Sequence, residues 1–91
     1  MKDLEFFMEI WSERDHYSEI SGEPLYEFSP VYFSHLVTKG SRPDLRHNKD
    51  NIVLMTFDEH REWEFGDRDK LRKDKKWNKV FKQFEKLKSH G

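Results

Sequence analysis

The chain has 91 residues, 34% hydrophobic and 38% charged, with a formal net charge of −1 at pH 7 and no cysteine. A chain this short is one domain that buries only a little over ~60% of its unfolded surface, and the lack of cysteine excludes both a disulfide framework and a cysteine-based zinc site. No apolar run approaches the roughly 18 residues of a membrane span, and the acidic stretch MKDLEFFMEIW is unlike the basic start of a signal peptide, so cytoplasm is the expected compartment.

Low hydrophobicity and high charge lean toward disorder. Against that stand eight Phe, three Trp and three Tyr, each large ring burying on the order of 150–250 Å². A folded chain built on aromatics is expected. Its charge is unevenly spread: residues 1–64 carry seven Lys/Arg against fourteen Asp/Glu, and residues 65–91 carry ten against four. The basic tail is either a solvated face balancing acidic neighbours in the same fold or a phosphate-binding surface.

In chain order, DLEFFMEIWSERD places Leu4, Phe7, Met8 and Trp11 on one helical face, predicting a helix over about 3–14 within an N-terminal unit of 1–16. Gly22, Pro24 and Pro30 then make a turn-rich connector with a short extended piece near PLYEF. VYFSHLV, residues 31–37, reads as a strand with His35 on the same face as Val31, Phe33 and Val37. A long polar loop leads to the returning strand IVLM. Thr56 is a helix N-cap, Asp58 and Glu59 suit the first turn, and Gly66 ends that helix. The last stretch, 67–91, is a basic amphipathic helix with Trp77, Val80, Phe81, Phe84 and Leu87 on its apolar face, packed on the first helix or on the hairpin. The fold class is α+β.

Three polar residues stand out. His35 lies in the first strand, Asn51 follows it by sixteen residues just before the second, and His60 follows Asn51 by nine in the next helix. A hairpin backed by a helix brings the first strand near the helix start, so His35 and His60 are expected to face a common cleft. Alone, His35 fits a hydrogen-bonded core residue, Asn51 a turn and His60 a helix surface.

This histidine, asparagine and histidine on strand, loop, strand and helix, within FSHLVTKGSRPDLRHNKDNIVLMTFDEHREWEFG, resembles the HNH endonucleases of the ββα-metal class over about residues 17–66. The resemblance implies a divalent-metal-dependent DNA endonuclease. His35 would be the general base, Asn51 would hold it in place, and His60 would bind a divalent ion such as magnesium or manganese. Glu64, one helical turn after His60, would complete the ion's site. Small stand-alone members are often phage or mobile-element proteins acting in the host cytoplasm, and a homodimer is left open.

The chain departs from the family's pattern where Ser34 replaces the usual aspartate or second histidine before the base. It departs again where Ser18 and TFDEH stand in place of zinc-binding cysteines, so no structural zinc is expected. Lys39, Arg42, Arg46 and Lys49 between the strands would contact DNA phosphates, unless they form an ordinary solvated loop. The rival reading is a catalytically inert HNH scaffold binding DNA or a protein partner.

Overall fold

The run Ile52–Met55 is apolar at every position, which for a strand requires cover on both faces. A computed structural model, describing residues 2–89, provides that cover. Strand β1 (Phe33–His35) pairs antiparallel with β2 (Ile52–Leu54) in the register Phe33↔Leu54, Ser34↔Val53 and His35↔Ile52. Phe33, Ile52 and Leu54 pack with Phe6, Phe7 and Ile10 of helix α1 (Asp3–Glu13) and with Leu25. Val53 and Met55 enter a second cluster with Ile20, Leu36, Trp63, Leu71, Trp77, Val80 and Phe81. The hairpin is therefore the middle layer of an α+β fold with helices on either side.

The inward face of the first helix overlaps only in part the one its spacing suggested, sharing Phe7 and the partly buried Trp11. Phe6, Phe7 and Ile10 are buried, while Leu4 and Met8 are 52% and 55% exposed. Both faces of this helix carry apolar residues. The pleat of the hairpin selects the one whose rings fit it, with Phe7 stacked on Phe33 at 4.7 Å between centroids.

Strand β1 is also shorter than the run 31–37. Pro30 opens a single 3₁₀ turn, Pro30–Tyr32, whose first amide partner is the Ser29 hydroxyl, so Val31 leaves the strand and is 42% exposed. The connector before it is ordered. Glu19 N–H donates to the Leu54 carbonyl and the Glu19 carboxylate accepts from Leu54 N–H, both at 2.8 Å. The Arg14 guanidinium donates to the carbonyls of Ile52 and Lys49. The outer edge of β2 is thus satisfied without a third strand.

Helix α2 (Phe57–Phe65) follows its sequence signals closely. Thr56 accepts from Glu59 N–H and the Glu59 side chain returns to Thr56 N–H, a complete capping box. Ser18, in the connector, donates to the same Glu59 carboxylate and accepts from the amides of Ile20 and Ser21. This clasp ties connector to helix. The helix ends at Gly66, where only glycine fits because a Cβ would lie 2.5 Å from the Glu62 carbonyl oxygen.

The basic C-terminal stretch is not one helix. Asp67 caps α3 (Arg68–Arg72), Asp74 caps a 3₁₀ turn at Lys75–Trp77, and α4 (Asn78–Ser89) follows. An aspartate competing for backbone amides resets the helix at each point. Residues 90 and 91 of the expected helix lie outside the described residues. Helix α4 packs on α2 and the hairpin, with Phe81 and Phe84 each 5.3 Å from the Trp63 ring.

Candidate functional site

His35 is the last residue of β1 and, by strand alternation, shares the face of Phe33 toward α1. Its ring meets Phe7 edge-on at 6.0 Å. Nε2 lies 3.0 Å from the Arg46 carbonyl oxygen. Since a carbonyl only accepts, Nε2 carries the proton and Nδ1 keeps its lone pair. Burial lowers the imidazole's pKa from 6.5 and Lys39 adds to this, while the Arg46 carbonyl and the charges of Asp3 and Glu64 act in the opposite direction. The ring is therefore neutral at pH 7, the state a general base requires.

Asn51 is fully buried at the end of a 3₁₀ turn, Lys49–Asn51. Its Oδ1 accepts from Val37 N–H at 2.8 Å, and Nδ2 donates to the carbonyls of Val37 at 2.9 Å and Leu45 at 3.2 Å. The amide thereby ties Val37, near the start of the loop between the strands, and Leu45, within it, to the loop's end. Leu45 directly precedes Arg46, whose carbonyl fixes His35. Asn51 thus acts on the histidine through the loop and not by touching it.

His60 and Glu64 occupy successive turns of α2. His60 Nδ1 donates to the Val31 carbonyl at 2.7 Å, and Nε2 lies 3.4 Å from Glu64 Oε1. The irregular turn at Val31, outside the strand, supplies that carbonyl. Together with Val31, Phe57, Arg61 and Phe65, the pair lines a cleft of about 330 Å³. No hydrogen bond joins His35 to His60 or Glu64, and His35 is not part of the lining of the cleft that His60 and Glu64 share, so the common cleft expected for the two histidines is not formed there.

For a divalent ion the fit is sparse but chemically coherent. An imidazole with one nitrogen fixed to a backbone carbonyl is the usual arrangement of a metal-binding histidine, and the neighbouring carboxylate suits a hard cation that keeps several waters. Among the described residues no group of three or more His, Cys, Asp or Glu is arranged to hold a metal, so His60 and Glu64 would be the protein's share. Ser34 lies on the opposite strand face from His35, completely buried, and its Oγ has no hydrogen-bond partner.

The four loop cations expected to meet phosphates are all engaged within the protein. Arg46 makes a two-pronged contact with Asp3 at 2.9 and 3.0 Å, and Lys39 reaches the same carboxylate at 3.3 Å. Lys49 pairs with Glu13 and Glu9, and Arg42 with Asp44. Asp3 also accepts from His47 Nε2 at 2.9 Å; the Arg46 guanidinium, with help from His47 and Lys39, holds its carboxyl far below the usual carboxylate range. Asp3 and His47 were invisible as partners in the sequence because 44 positions separate them, and no local signal marks such a pairing. No protein-family model, curated protein or solved structure gives a significant match to the chain.

Proposed function

We propose that the chain is a divalent-metal-dependent endonuclease that hydrolyses phosphodiester bonds in DNA. The observation that carries the reading is the complementary tethering of two histidines. His35 is bound through Nε2 and keeps Nδ1 open, whereas His60 is bound through Nδ1 and turns Nε2 toward Glu64. In this reading His35 Nδ1 takes the proton of an attacking water, and Asn51 holds the loop that aims the ring. His60 and Glu64 hold the ion, which when bound stabilises charge developing on the phosphate and leaving oxygens. The sequence resemblance to HNH nucleases points the same way.

A second reading, an inert scaffold that binds DNA or a protein, is favoured by one observation. Ser34, a buried residue with no charge, stands where the HNH pattern that the sequence resembles has a further metal ligand. The discriminating experiment is plasmid cleavage with magnesium, manganese or nickel beside a chelator control. The nuclease reading expects metal-dependent nicking or linearisation, lost in His35→Ala with circular dichroism unchanged. An inactive parent, or a His35→Ala variant as active as the parent, rejects it.

A further inference from the structure

The cations of the C-terminal region differ from those of the loop. Among the described residues Arg68, Lys70, Lys73, Lys75, Lys79, Lys82 and Lys88 take part in no ion pair, although the fold engages all four loop cations. Two clefts collect part of this surplus. One, about 640 Å³, lies between α4 and the loop before β2 and is lined by Arg42, Lys79, Lys82 and Gln83 together with two carboxylates, Asp44 and Asp50. The other, about 430 Å³, has Arg42, Arg68, Lys88, Thr38 and Ser41 in its wall and no carboxylate. Arg42 belongs to both, so the two form one basic track. Its far end, at Arg68, follows the candidate-site residue Glu64 by four positions in the chain.

We infer that this track, through Arg68, Lys79, Lys82 and Lys88, seats the phosphate backbone of duplex DNA. The choice of DNA rests on the nuclease reading above; the choice of a polyanion rests on charge alone. Lys79 and Lys82 are neighbours on one helical ridge, roughly 5–6 Å apart at Cβ, a spacing that follows successive backbone charges. Arg68 is held in place, its guanidinium 3.6 Å over Trp63 and its Nε donating to the Trp63 carbonyl, so it presents its remaining donors without further ordering. A lipid surface is the poorer match, since α4 buries Val80 and Phe81, Phe84 and Leu87 pack partly against the same core, and among the described residues α4 carries no exposed large apolar side chain to insert.

The test is fluorescence anisotropy of a labelled duplex in chelator, where neither metal nor cleavage is needed. Each phosphate that the protein no longer neutralises should lower the slope of log K against log salt by about 0.9. Lys79→Gln/Lys82→Gln/Lys88→Gln should therefore flatten it by on the order of 2–3, and the matching triple Arg variant should restore it. Lys39→Gln/Lys49→Gln should retain the parent slope. Parent-like binding by the Gln triple, or an equal flattening in the loop variant, overturns the inference. So does a parent that binds anionic phosphatidylserine vesicles but no duplex. DNA bound through these lysines but never cut leaves the track standing and removes the nuclease reading alone.

Discussion

His35 combines two properties that usually conflict, partial burial and an open nitrogen. Burial keeps the ring neutral, and the Arg46 carbonyl fixes which nitrogen is free. Its pKa lies below 6.5 in the folded chain, so cleavage should rise with pH along a limb whose midpoint is below 6.5 and should be level above it. A pH profile of single-turnover cleavage checks this; a midpoint above 6.5 would mean that another group limits the reaction. The sign for stability is the same. Because the unfolded chain binds the proton more tightly, His35's contribution is complete above its unfolded pKa and declines as pH falls toward the folded value. Ser34 gives a second test at this scale. An unpartnered buried hydroxyl costs free energy, so Ser34→Ala should leave stability unchanged or raise it by up to ~1 kcal/mol without altering ion affinity. Reduced manganese binding in that variant would make the hydroxyl a third donor.

Among the elements, the two sides of α1 make contrasting predictions. Phe6→Ala removes a ring buried against the hairpin and should cost roughly 3–5 kcal/mol, whereas Leu4→Ala, on the exposed side, should fall within about 0.5 kcal/mol of the parent. Urea unfolding of both variants checks the pair, and the opposite ranking would mean that the helix is rotated. This helix also shows where the sequence was readable and where it was not. Helix α2 was legible because Thr56, Glu59 and Gly66 are local signals acting within one turn. The face of α1 was not, since apolar side chains lie on both sides and only the tertiary partner chooses between them. Asp67 and Asp74 could have been read as internal caps; the continuous apolar spacing beyond Trp77 masked them. Of the candidate site, the spacing of His35, Asn51 and His60 was visible. The tethers at Arg46 and Val31 are backbone carbonyls, which no side-chain pattern reveals.

Across the whole molecule, the acidic first part of the sequence balances its own loop before it meets the basic tail. Asp3 gathers Arg46, His47 and Lys39 at the start of α1, where a negative charge is also favoured by the helix dipole. Its lowered pKa makes it a source of acid sensitivity. The stabilisation is present above the unfolded value of 3.8 and is lost as pH falls through the folded value. Asp3→Asn should therefore lower the melting temperature at neutral pH and narrow its gap to the parent as the solution becomes strongly acidic. Thermal melts across that range decide the point, and a constant gap would show that the carboxylate's charge contributes nothing. The same arrangement leaves Lys70, Lys73, Lys75, Lys79 and Lys82 outside the ion pairs among the described residues, so part of the charge asymmetry of the sequence survives on the folded surface.

The account stands most directly on the pair His60 and Glu64, whose nitrogen and oxygen lie 3.4 Å apart on one helix. Calorimetric titration of manganese into the protein, alone and with a non-cleavable duplex, tests it. With two protein donors the ion should bind weakly alone and more tightly once a phosphate oxygen joins them. His60→Ala should abolish the binding, and Glu64→Gln should weaken it. No binding by the parent in the presence of duplex, or the same titration for His60→Ala as for the parent, would contradict the metal-dependent reading.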